Sequence, residues 1–176
     1  MKKALIVIDM QIMPFVWKDY GGKPLSNEQE LIEHTKNLLT KARRANAPVF
    51  YILYTEKGDS PRAENQPLWQ VHPEVAPYEN DIQIIKYHAD SFLNTDLEKE
   101  LRNRGITNLV FCGVQTEYCV DATVKSAYSL GFTCELASDV HSTYDYENLS
   151  AEQIIIHHNH ILSTLSAVCE ESQINF

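Results

Sequence analysis

The sequence predicts an α/β fold, a doubly wound, mostly parallel sheet flanked by helices on both faces in a Rossmann-like three-layer arrangement. Two observations predict it. Short, almost purely apolar runs recur along the chain, and strands of that kind are buried on both faces, as in parallel sheets covered by helices. Between them lie stretches with apolar residues at helical spacing, so strands and helices alternate without an internal repeat. At 176 residues the chain is the size of an ordinary domain, and residues 1–176 are read as a single one.

The first strand is Ala4 to Ile8. It has a basic start like a signal peptide, but its apolar run is short and ends on the carboxylate of Asp9 without a small-residue cleavage site. Ser26 to Asn46 carries Leu31, Ile32, Thr35, Leu38, Leu39 and Ala42 on one helical stripe, and Ser26 with Gln29 reads as a capping box. Further strands follow at Val49 to Leu53, Ile82 to Ile85, Leu109 to Cys112 and Thr133 to Ala137. Thr95 with Glu98 opens a helix that stops near Gly105. Another runs from about Glu117 to Leu130 with Gly131 as its C-terminal cap, and Ser150 with Gln153 opens a last one through His160.

Composition narrows the function. Hydrophobic residues make up 44% and charged residues 22%, the balance of a folded soluble domain. The formal net charge is -9 and the basic residues form no cluster beyond Lys41-Ala42-Arg43-Arg44, so a phosphate backbone is repelled and nucleic acid is an unexpected partner. No apolar stretch approaches the ~20 residues of a membrane span, and a soluble, cytoplasmic protein without membrane contact is expected. Cys112, Cys119, Cys134 and Cys169 form no C-x-x-C pair. In a reducing compartment they are free thiols.

In open α/β sheets ligands bind outside the carboxyl ends of the strands. That rule gathers Asp9, the long segment from residue 55 to 80, Lys86, the turn 113–119 and Asp139 around one crevice. Cys119 falls in the first turn of a helix that leaves a buried strand through Gly113. The unpaired backbone N–H groups and the dipole there favour a thiolate, and the same amides can receive charge developing on an attacked carbonyl oxygen. A nucleophilic Cys requires a base. His88 and His141 lie near strand ends and keep a Cys–His pair open, while Asp9 with Lys86 offers a carboxylate base beside a charge partner.

The run Ile6-Val7-Ile8-Asp9-Met10-Gln11, then Lys86 ahead of Ser91-Phe92 and Thr95-x-Leu97, then Gly113-Val114-x-Thr116-x-x-Cys119-Val120, resembles the isochorismatase-like cysteine hydrolases over nearly the whole chain. The resemblance implies Asp9 as base, Lys86 as charge partner and Cys119 as nucleophile. It also implies a cis peptide before Gln115, with the N–H groups of Gln115 and Cys119 forming the oxyanion hole. Nicotinamidases of this superfamily hold a metal through an Asp-x-His pair and a further His after the second strand. Here the stretch reads Tyr54-Thr55-Glu56-Lys57-Gly58-Asp59-Ser60-Pro61, so no metal and no other cofactor is expected. Vinyl-ether-cleaving isochorismatases often lack the nucleophilic Cys. Its retention here favours hydrolysis of an amide-like C–N bond in a small molecule through a thioester, with vinyl-ether hydrolysis as the alternative. A flavodoxin-like binding or thiol redox-sensing protein is a third reading. Family members commonly form homodimers or homotetramers, and the same is expected here.

Around this trio Phe15, Trp17, Tyr54 and Trp69 are candidates for an apolar substrate pocket. Cys112 and Cys134, inside strands, read as small buried hydrophobes, and Cys169 as an incidental thiol. His157, His158 and His160 occupy different sides of one helix and do not make a metal run.

Overall fold

The computed structural model describes residues 2–176. Six strands form one sheet: β1 (Lys3–Ile8), β2 (Val49–Tyr54), β3 (Ile82–Lys86), β4 (Asn108–Val114), β5 (Thr133–Ser142) and β6 (Ala167–Cys169), in the order β3-β2-β1-β4-β5-β6. Every pairing is parallel. The order reverses at β1, so the crevice lies where β1 and β4 diverge. The expected doubly wound fold is therefore present.

Five helices cover the sheet: α1 (Ile12–Val16), α2 (Glu28–Arg44), α3 (Leu97–Asn103), α4 (Asp121–Ser129) and α5 (Ala151–Leu162). Alternation along each strand divides the core. Leu5, Val7, Tyr51, Leu53 and Val110 face the apolar stripe of α2, whereas Ala4, Ile6, Ile8, Phe50, Ile52 and Phe111 face α3, α4 and Leu162 of α5. Cys112 and Cys134 are buried in these layers as small hydrophobes. No helix among the described residues is long and apolar enough to cross a membrane.

Local signals held where nothing competed for them. Ser150 and Gln153 form the reciprocal capping box. At α2 the helix instead starts at Glu28 behind Asn27 in a left-handed conformation, with no side-chain cap. Ser26 is tied instead to the end of β5, where its N–H donates to Thr143 O and its O accepts from Ser142 Oγ. The helix expected from Glu117 begins instead as one wide π turn, Thr116–Val120, and α4 proper starts at Asp121. The strand expected to stop at Ala137 continues to Ser142, and β6, unread in the sequence, takes Cys169 into the sheet edge.

Candidate active site

Three strand ends build the site. Asp9 follows β1 with φ +51, a left-handed conformation that Asp tolerates better than most residues, and its side chain is buried. Lys86 closes β3 and is fully buried. β3 and β1 are separated by β2, two strand spacings or about 9.6 Å, and the long lysine side chain crosses that gap. Its Nζ reaches Asp9 Oδ2 at 3.0 Å and donates to Ala89 O at 2.9 Å. Cys119 interacts with both Asp9 and Lys86. The trio expected from the sequence is thus brought together.

Gly113 sets how closely the third end approaches. It pairs with Ile8 at φ +125, and a Cβ there would lie 2.0 Å from Ile8 O. Only glycine permits β4 to pass this near β1 and deliver the turn to Asp9. The Val114–Gln115 peptide is cis. The N–H groups of Tyr118 and Val120 both donate to Gln115 O, which closes the turn carrying Cys119.

Gln11 organises the neighbouring strand end. Its Nε2 donates to Trp69 O at 2.7 Å and Tyr54 O at 3.1 Å, while its Oε1 accepts from Tyr54 N at 2.9 Å. A buried amide satisfied on both ends joins the β1 exit, the end of β2 and the long loop.

The electrostatics correct one expectation. Burial pushes the Cys119 thiol up to about 12, the Asp9 carboxylate pushes the same way, and the Lys86 ammonium opposes them only in part. The resting nucleophile is a thiol beside a carboxylate–ammonium pair, and the turn does not hold a free thiolate. For Lys86, burial alone lowers the affinity for its proton, but the Asp9 carboxylate beside it reverses this and the net shift is upward.

His141 is not a partner of Cys119. Asn159 Nδ2 donates to Ser138 O at 3.0 Å, so Asn159 Oδ1 faces His141 Nε2 at 2.9 Å and must accept. Nε2 therefore carries the proton, and Nδ1 accepts from the Thr116 hydroxyl at 2.8 Å. Neutral imidazole braces the turn from behind, and burial lowers its affinity for a second proton to about 4. In the unfolded chain His gains that proton near pH 6.5. The stabilisation is therefore complete above pH 6.5 and falls as the pH drops toward 4, by up to about 3 kcal/mol. Urea midpoints measured between pH 7 and 4 should show this acid limb in the native protein and a shallower one in His141→Gln; parallel limbs would refute the assignment.

A cavity of about 520 Å³ opens over the trio, lined among others by Met13, Trp17, Tyr54, Arg62, Tyr87, His88, Gln115, Tyr118 and Tyr144. Trp17 and Tyr54 take the expected place in its wall. Phe15 and Trp69 do not. Helix α1 turns Met13 and Pro14 toward the cavity, the turn after it adds Trp17, and Phe15 points away into the core against the His72 ring. Trp69 is buried in the same core with Nε1 donating to Thr55 Oγ1 at 2.7 Å. Asp139 is also absent from the crevice, because β5 runs past it; it pairs with His34 Nδ1 at 2.9 Å on α2. Arg62, Tyr87, Tyr118 and Tyr144 were not singled out in the sequence, although Tyr87 and Tyr144 follow strand ends. Among the described residues no group of His, Cys, Asp and Glu side chains is placed to hold a metal ion.

A sequence profile described as the isochorismatase domain matches residues 3–159. The chain belongs to the isochorismatase family. It is therefore an α/β hydrolase of that family. The isochorismatase family protein YddQ of Bacillus subtilis is 32% identical over 92% of this chain and 87% of its own length. The ureidoacrylate amidohydrolase RutB of Caulobacter segnis is 30% identical over 73% of this chain and 67% of its own. The crystal structure of an isochorismatase from Pseudomonas putida superposes with a TM-score of 0.86 at 26% identity, covering 98% of this chain and 89% of that one.

Proposed function

We propose that this isochorismatase-family hydrolase is a cysteine amidohydrolase that cleaves a C–N bond of a small molecule through a thioester. The observation that carries the reading is the convergence of Asp9, Lys86 and Cys119 under one cavity. The similarity to a protein named as an amidohydrolase supports it.

In this mechanism the Cys119 proton passes to Asp9 as Sγ bonds to the amide carbon. Attack and proton transfer are coupled, because the thiol is protonated at rest. The N–H groups of Gln115 and Cys119 receive the oxyanion. Collapse breaks the C–N bond, and Asp9 returns the proton to the departing amine. A water then loses a proton to Asp9 and attacks the thioester, the C–S bond breaks, and the sulfur regains that proton. Water and amide yield acid and amine. Lys86 holds its charge beside Asp9 throughout, so the carboxylate keeps its orientation in a buried site.

The test is a panel of small amides, ureides and N-carbamoyl compounds, scored by ammonia or carboxylate release and by intact mass during turnover. A mass increase equal to the acyl group on Cys119 is expected, with turnover unchanged after exhaustive EDTA. Turnover of a vinyl ether without acylation would move the protein to the non-covalent branch, and loss in chelator restored by zinc would overturn the metal-free reading.

A further inference from the structure

The cavity wall carries a charge that the proposed hydrolysis does not use. Asp9 is neutralised by Lys86. Among the described residues, Arg62 is the only other Asp, Glu, Lys or Arg side chain in the cavity lining. Its guanidinium lies over the Tyr54 ring, 4.7 Å from the centroid, and Nη1 meets Glu56 Oε1 at 3.3 Å. Glu56 also accepts from Ser60 Oγ and lies outside the lining. Ring and carboxylate thus hold the guanidinium from two sides, while its five-donor fork retains N–H groups for a planar anion. The Arg62 charge also bears on the hydroxyl of Tyr144, another residue of the lining.

The strand order bears on where such an anion sits. Arg62 stacks on Tyr54 at the end of β2, and Cys119 comes from the end of β4, with β1 between them. β2 and β4 lie two strand spacings apart, about 9.6 Å, so the charge and the nucleophile reach the cavity from different strand ends. Trp17, Tyr54, Tyr87 and Tyr118 give the remaining wall an aromatic character. We infer that Arg62 is a specificity-determining residue, and that the enzyme selects small amides carrying a carboxylate on the side of the molecule away from the scissile carbonyl. This rests on the amidohydrolase reading of the same cavity.

The test compares N-benzoylglycine, N-benzoyl-β-alanine and 4-benzamidobutyrate with the alcohols in which CH₂OH replaces the carboxylate. Calorimetric binding to Cys119→Ala should favour at least one acid over its alcohol by about tenfold or more, the scale of a charge-assisted hydrogen bond at a partly exposed site. Arg62→Met in that background should bring the pair within about twofold, and Arg62→Lys should keep part of the preference. Equal affinities in Cys119→Ala, no binding by any of the acids, or a preference that survives Arg62→Met would each overturn the inference. Turnover separates the two claims. Amides cleaved without charge preference leave the amidohydrolase reading standing and remove this one. Acid-selective binding lost in Arg62→Met, with no amide cleaved, does the reverse.

Discussion

Cys119→Ala is expected to lower turnover of any amide substrate by at least about 10⁴-fold while leaving the fold intact. The covalent route needs a sulfur at this position, and deleting the nucleophile of a catalytic unit typically removes nearly all the acceleration that the unit supplies. The side chain is small, so alanine costs little packing. Asp9→Asn is expected to be nearly as damaging, since the thiol is held protonated and amide oxygen is a poor base for it. Single-turnover kinetics on the best substrate of the panel would measure both. A Cys119→Ala enzyme retaining more than about 1% of turnover would end the thioester mechanism. An inactive Cys119→Ala beside a fully active Asp9→Asn would leave the nucleophile and remove the base.

Lys86→Met is expected to cost at least about 100-fold in turnover, the scale for losing a positioned proton-transfer partner, and about 3–5 kcal/mol in stability. The second effect follows from burial: Lys86 and Asp9 are both buried and meet at 3.0 Å. Removing the ammonium leaves a carboxylate without its counter-charge. Adding Asp9→Asn to Lys86→Met should recover much of the stability and none of the activity, a non-additivity that a double-mutant cycle reads directly. The pH dependence has a definite sign. The Lys86 proton is held more tightly in the folded protein than in the unfolded chain, so the contribution is complete below about pH 10. It fades as the pH rises further through the folded value. Equal denaturation midpoints for wild type and Lys86→Met would show that the pair is not the buried interaction described.

Much of the framework was legible in local sequence because short-range physics controls it. Unbroken apolar runs such as Ala4 to Ile8 mark strands with no polar face, and a parallel sheet follows from having to cover both sides. Strand ends then nominate Asp9, Lys86 and the turn after Gly113, since topology alone assigns the ligand edge. The Ser150 capping box was readable because its partners lie three residues apart. The Ser26 box was not, because Ser142 and Thr143, more than a hundred residues away, claim that backbone.

What only the tertiary structure decided is the state and direction of side chains at the site. Composition nominates both Phe15 and Trp17 for the pocket, but which of them faces the cavity depends on how the segment after β1 folds against the long loop, and the answer separates them. A helix start suggests a thiolate at Cys119. The enclosure of that thiol and the nearness of Asp9, whose residue lies 110 positions earlier, outweigh the local amides and keep it protonated. Arg62 is an unremarked loop residue until Tyr54 and Glu56 hold it over the crevice. Backbone order is set by local propensity and burial pattern, which a sequence carries on its face. Charge state and orientation depend on desolvation and on neighbours from distant segments, which exist only once the chain has folded.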